Sequence, residues 1–200
     1  MVDYHGSTRR LNIVNEIKKW SRDVLQRPSK FFNGLPPCPY AFDAWVNNRV
    51  KIHFGGTKEA LEASNILNED EERVDLVIVV VDSDWDHKEI EPWCSQQNKR
   101  LKNEDIVMMP FVPGNGVGTG QPQEEMENWE PLVDEEYAMV FVQRLSDVNA
   151  ASEALEEAGY YKNCTAEFLK YVKDRRKGSD HARTKQVEGN DEEEEVVWVA

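Results

Sequence analysis

The sequence predicts an α/β protein in which helices cover a layered, mixed sheet of four strands, followed by a disordered acidic tail. Two observations predict this class. Segments with the apolar pattern of strands alternate with segments of helical periodicity, an order typical of α/β proteins. The connection between the last two predicted strands, residues 113–136, has no helical pattern, so these strands are expected to be antiparallel neighbours.

The predicted domain organisation has three parts. Residues 1–10 are a flexible arm, residues 11–178 form a single α/β domain, and residues 179–200 form the tail. Two hundred residues provide enough chain to bury a core without disulfides or a structural metal.

The first predicted helix covers residues 11–26 and ends before Pro28. Its apolar residues recur at helical spacing and form one stripe that is expected to face the core: Ile13, Ile17, Trp20 and Val24.

Residues 31–40, FFNGLPPCPY, are predicted to form a rigid, extended connection because each proline fixes its own φ. Cys38 in this segment has two interpretations. A nearby base such as His53 or His87 would lower the pKa of its thiol and make it a nucleophile. Alternatively, Cys38 is a small buried hydrophobe, which the usual burial of free cysteines favours.

Residues 50–54 alternate apolar and polar side chains, which predicts a half-buried strand with His53 on its polar face. Gly55 and Gly56 then turn the chain, and Thr57 is a plausible N-cap for a short helix over residues 58–67.

Residues 76–81 are all apolar and mostly β-branched, which predicts the central strand. Asp82, Asp84, Asp86 and His87 follow at its carboxyl end, where α/β proteins usually bind ligands. The three carboxylates are candidate ligands for Mg²⁺ or Mn²⁺, with His87 as a general acid or base. This strand with its Asp-x-Asp resembles those of haloacid dehalogenase phosphatases and nucleotide-sugar transferases. The alternative is a polar turn in which Asp86 caps the next helix.

Residues 89–102 are predicted to form a helix with Cys94 on its core face, and residues 105–112 a strand that Pro110 places at an edge. The glycine-rich segment that follows, PGNGVGTGQ, is predicted to be a mobile loop, with a lid over Asp82 as the alternative. The remaining elements are a strand over residues 137–145, a helix over 147–158 between Ser146 and Gly159, and a helix over 165–177.

Charge and cysteine content limit the function classes. The net charge of −14 works against nucleic acid and anionic membranes as partners. Three widely spaced cysteines without a CxxC pattern support neither a disulfide framework nor a zinc site, and they fit a reducing compartment. Neither a secretory leader nor an apolar run of membrane-spanning length is evident, so we expect a cytoplasmic protein without a membrane partner.

The tail combines charge with an apolar tip. Residues 191–195 are all acidic and VVWVA follows them. Some partner-docking tails have this composition, which makes Val197, Trp198 and Ala200 candidate contacts for a protein partner. The alternative is that residues 196–199 pair with an edge of the protein's own sheet or fray.

Several short motifs occur in a characteristic order: Trp20, LPPCPYA at residues 35–41, MPFVP at 109–113 and YAMVFVQRLSDVNAAS at 137–152. In these motifs the chain resembles, over residues 17–155, an uncharacterised bacterial domain family with a Trp and a Cys-Pro-Phe-Ala signature near its start. Tyr40 replaces the Phe of that signature, and Val112 takes the place of a His. The resemblance implies a fold and no particular activity.

Two functions remain open at this level. The first is a cytoplasmic binding or regulatory protein of unknown partner, supported by the tail and the acidic composition. The alternative is a divalent-metal-dependent enzyme that acts on a phosphate-containing substrate at residues 82–87.

Overall fold

The computed structural model describes residues 4–68, 73–112 and 137–188, with side chains over residues 8–67, 73–112 and 137–177. Seven helical or strand segments precede the gap at residue 113: α1 (Tyr4–Trp20), α2 (Ala41–Val46), β1 (Val50–Gly55), α3 (Thr57–Asn68), β2 (Leu76–Val81), α4 (His87–Leu101) and β3 (Ile106–Phe111). After the gap follow β4 (Met139–Arg144), α5 (Leu145–Glu157) and α6 (Ala166–Glu188). Shorter turns are a π-helical one at Ser21–Leu25 and 3₁₀ turns at Lys102–Glu104 and Tyr160–Asn163.

The four strands form one mixed sheet in the order β1-β2-β4-β3. β1 and β2 are parallel, whereas β4 is antiparallel to both β2 and β3. The predicted fold class, the interior position of β2 and the antiparallel pairing of the last two strands are therefore confirmed. Pro110 lies in the edge strand β3, as predicted, where its missing N–H costs no hydrogen bond to a further strand.

Helices pack on both faces of the sheet. α3 and α4 cover the face that carries Val79 and Val140, and their own buried side chains include Leu67 and Ile90. Cys94 belongs to this core, as predicted, with 1% of its surface exposed. α1 covers the opposite face through the predicted stripe, and the Trp20 ring lies 5.2 Å from the ring of Phe111. The part of the chain that the structure describes contains no helix with the length and apolarity of a membrane span.

A third cluster lies beside α6. It joins Phe31 and Phe32 to Tyr160, Tyr161 and Val172. Tyr160 Oη donates a hydrogen bond to the Pro37 carbonyl, and Asn163 Nδ2 donates to the Phe31 carbonyl at 2.8 Å. The predicted extended connection over residues 31–40 is in fact a series of turns, because these contacts fold it onto α6.

Both terminal helices exceed the predicted bounds. α1 begins at Tyr4, inside the predicted arm over residues 1–10. α6 continues past Gly178 to Glu188, inside the predicted tail over residues 179–200. A glycine inside a helix costs about 1 kcal/mol relative to alanine and does not by itself end the helix. Residues 189–200 lie outside the described part of the chain.

The start of α5 differs from the prediction that Ser146 is its cap. Asp105, in the left-handed conformation with φ of 57°, accepts hydrogen bonds from the Ser146 amide at 2.8 Å and the Ser146 hydroxyl at 2.6 Å. The cap therefore comes from the turn before β3, which brings Asp105 to the end of β4. Gly159, with φ of 76°, follows the end of α5 as predicted.

Candidate functional site

The predicted Asp82 site lies at the carboxyl ends of the two parallel strands. The Asp82 amide donates to the Gly55 carbonyl at 3.2 Å, which holds the end of β2 against the end of β1. Arg10 of α1 reaches the same place: its Nη2 lies 2.6 Å from Asp82 Oδ2, and its guanidinium lies 5.1 Å from the centre of the Phe54 ring. Asp82 is thus paired with a cation that the sequence alone did not indicate, because Arg10 lay in the predicted arm.

Asp86 caps α4, as the alternative interpretation of this turn predicts. Its Oδ1 accepts a hydrogen bond from the Lys88 amide at 3.0 Å. Asp84 and His87 are exposed, and Trp85 between them packs edge-on against Trp93 with ring centres 4.9 Å apart. Across the described residues, no three His, Cys, Asp or Glu side chains are grouped so that they could hold a metal ion. The metal-site hypothesis gains no support from this geometry.

At the start of α3, next to the same strand ends, a backbone amide already has a hydrogen-bond partner within the chain. Glu59 Oε2 accepts a hydrogen bond from the Gly56 amide at 2.8 Å. This hydrogen bond holds the pKa of Glu59 below its usual value. Such a cap places a carboxylate where an anionic ligand would otherwise contact the helix amides.

The three cysteines are free thiols in environments that disfavour the thiolate. Burial raises the pKa of Cys38, and hydrogen bonds from the amides of Tyr40 and Ala41 offset this only in part. Burial also raises the pKa of Cys164, and that of Cys94 to about 12. A nucleophile needs the opposite shift. The suggested base His53 is half-buried on β1, paired in register with Val79, and His87 begins α4.

The outer side of α2 carries an exposed apolar surface. Five large apolar side chains are exposed among the described residues, and three of them, Tyr40, Phe42 and Val46, lie within seven positions of one another with exposures of 48%, 63% and 62%. We call these three residues the α2 surface. Phe42 and Val46 are four residues apart, which places them on the same side of the helix.

The inner side of α2 explains why these residues point outward. Ala41 and Ala44 are buried, and Trp45 Nε1 donates to the Ser21 hydroxyl at 2.8 Å. Lys18 Nζ lies 5.7 Å from the centre of the Trp45 ring, so a cation of α1 lies against the same helix. α2 is therefore fixed by its alanine and tryptophan side, and its other apolar side chains remain in solvent.

The sequence contained the signal for this surface. Six residues, AFDAWV, hold more apolar side chains than one side of a short helix can bury. The candidate docking residues Val197, Trp198 and Ala200, and the suggested lid at residues 113–121, lie outside the described residues.

Comparison with known proteins yields no match to a family model, to a curated protein or to a solved structure.

Proposed function

We propose that the protein is a non-catalytic binding protein whose α2 surface contacts an apolar segment of a protein partner. The observation that carries this proposal is that Phe42 and Val46 are both exposed on the same side of a fixed helix, with the exposed Tyr40 at the start of that helix. Contiguous exposed apolar side chains commonly mark interaction sites, whereas single ones do not. Aromatic side chains at such a site supply a large contact area at a small cost in conformational entropy.

Charge narrows the class of partner. Residues 18–51 contain seven Lys or Arg and two Asp, a net charge of 7 − 2 = +5 in a chain of net charge −14. Arg22 and Arg27 both pair with Asp23, at 3.0 Å and 3.5 Å, and keep 67% and 66% of their side chains exposed. Arg22 lies in the π-helical turn whose Ser21 accepts the hydrogen bond from Trp45, and Arg27 lies just after this turn. A partner segment that combines acidic with apolar side chains is therefore complementary to this region. The negative charge of the whole chain favours a protein over a nucleic acid.

The test is a selection of random displayed peptides. The target is the full chain with Val197→Ser and Trp198→Ser, so that its own apolar tail residues cannot contribute. We expect enrichment of peptides that contain acidic and large apolar residues. The same chain with Phe42→Ser and Val46→Ser should bind these peptides with at least about tenfold weaker affinity, because the central apolar contacts are lost.

The matched control is Tyr171→Ser, which removes an aromatic side chain of similar exposure, 53%, from α6. Because all three replaced side chains are exposed, circular dichroism should show each variant folded like the parent. Peptides that bind the parent and the Phe42→Ser, Val46→Ser chain equally well would exclude the α2 surface.

A metal-dependent enzyme acting on a phosphate-containing substrate is the second candidate, favoured by the position of Asp82 at the ends of two parallel strands. The ion pair of Asp82 with Arg10 is partly exposed, 28% and 56% for the two side chains, so replacing Arg10 by a metal ion would cost little. Asp84 and His87 are exposed and would need to turn toward Asp82.

Calorimetric titration with Mg²⁺ and Mn²⁺ separates the two candidates. If the protein is a binding protein and the Asp82 turn is only structural, the heats of titration are the same for the parent and for the Asp82→Asn, Asp84→Asn chain. Stoichiometric binding that the double substitution abolishes, and that Arg10→Met strengthens by freeing Asp82, would favour the enzyme instead.

We also infer a reducing compartment, the cytoplasm. Cys38, Cys94 and Cys164 are all free thiols. Such thiols persist where cellular reductants keep them reduced.

A further inference from the structure

The chain itself contains a segment whose charge and apolar side chains are complementary to residues 18–51 and to the α2 surface. Residues 189–200 hold five acids and no Lys or Arg, a charge of −5, and the acids are followed directly by Val196, Val197, Trp198 and Val199. Residues 18–51 carry the opposite charge, +5 from seven basic and two acidic residues. Opposite charge beside matching apolar side chains is the usual pattern of a docking pair.

We propose that residues 191–199 bind the α2 surface of the same chain, with Val196–Val199 against Tyr40, Phe42 and Val46 and the acidic run beside Lys18, Arg22 and Arg27. This inference rests on the proposed function of the α2 surface and names its resident occupant. An external partner then has to displace the tail, so the tail competes with that partner for the α2 surface.

The fold starts the tail next to its target. α6 packs through Val172 on Phe31 and Phe32, in the segment that runs directly into α2. Tyr160, just before α6, donates its hydroxyl to the carbonyl of Pro37 in that segment. Direct contacts therefore join α6 and the turn before it to the segment that leads into α2.

The remaining chain is long enough to return. The part of α6 after Val172 rises about 24 Å, at about 1.5 Å per residue. Residues 189–196 span up to about 26–29 Å when extended, and residues 189–199 up to about 36–40 Å, at about 3.3–3.6 Å each. Even if α6 points away from α2, residues 196–199 can therefore return to the level of the contact between Val172 and Phe31.

Tethering sets the strength of the competition. A short connection gives the attached segment an effective concentration of the order of millimolar. Even weak docking then occupies the α2 surface for much of the time and reduces the apparent affinity of a partner peptide in proportion. High salt is expected to release the tail, because exposed charges are screened beyond about 3 Å at about 1 M ionic strength.

The test is zero-length cross-linking of the full chain with a water-soluble carbodiimide, which joins a carboxylate to an amine only when they touch. We expect mass spectrometry to find links from Glu192–Glu195 to the lysines of the basic region, Lys18, Lys19 and Lys30. In an equal mixture of ¹⁴N and ¹⁵N chains, each link should join peptides of one isotope. The yield should fall about tenfold with Val197→Ser, Trp198→Ser and with Phe42→Ser, Val46→Ser, as expected for loss of central contacts.

Tyr171→Ser is the control and should leave the yield unchanged. Links spread evenly over Lys58, Lys88 and Lys162 would contradict the proposal, as would links between the two isotopes, which would make the occupant's source a second copy.

The cross-linking and the peptide selection test the inference about the tail and the proposed function independently. Selected peptides that need Phe42, without tail cross-links to Lys18, would overturn only the inference about the tail. Cross-links without any selected peptide would leave the α2 surface as an internal docking site and overturn the proposed function.

Discussion

The Leu67→Ala variant is expected to lose about 2–5 kcal/mol of the free energy of unfolding. Leu67 lies at the end of α3 with none of its surface exposed and belongs to the cluster between α3, α4 and the sheet. The substitution removes the transfer free energy of three carbon atoms and leaves a cavity that the surrounding strands can close only in part.

Urea unfolding of the parent and variant measures this loss as a shift of the midpoint at constant slope. The matched control is Leu11→Ala, the same substitution on α1 at a position with 61% exposure, which should change the free energy of unfolding by at most about 0.5 kcal/mol. Equal losses at the two positions would contradict the placement of α3 against the sheet.

The second large effect is expected for Arg144→Met, with a loss of about 2–3 kcal/mol. The Arg144 guanidinium at the end of β4 donates Nη1 to the Val74 carbonyl at 2.7 Å and Nη2 to the Leu67 carbonyl. It thereby joins the end of α3 to Val74, two residues before β2. Methionine keeps the apolar stem but leaves two carbonyls of buried residues without their donors, which costs more than the net value of the bonds.

Two controls accompany this variant in the same urea experiment. Arg144→Lys supplies a single ammonium group in place of the forked guanidinium and should recover only part of the loss. Arg73→Met removes a cation that is 64% exposed and pairs with Asp75 and Asp147, and it should cost less than about 1 kcal/mol. An Arg144→Met chain as stable as the parent would show that neither carbonyl depends on this side chain.

Local patterns predicted the sheet well because each strand has an unambiguous signal. The apolar run of β2 is buried on both faces, and the alternation in β1 places Ile52 and Phe54 toward α1, as their spacing indicates. Pro110 at the edge of the sheet and Gly159 after α5 follow from the backbone limits of these residue types.

Local sequence patterns could not predict the long-range contacts. Asp105 caps α5 from another turn, and Arg10 pairs with Asp82 across 72 positions of sequence. The side of α2 that faces solvent is set by Trp45 and its hydrogen bond to Ser21, a contact between two segments that lack a shared periodicity. Each of these is a consequence of packing, so periodicity within one segment does not contain it.

The measurement that tests the central claim most directly is the affinity of a selected acidic, apolar peptide for two full chains that differ only at Phe42 and Val46. Fluorescence anisotropy of the labelled peptide gives both dissociation constants under the same conditions. A binding protein that uses the α2 surface predicts at least about a tenfold weaker affinity for the Phe42→Ser, Val46→Ser chain. Equal affinity for the two chains would contradict the assignment of this surface as the binding site.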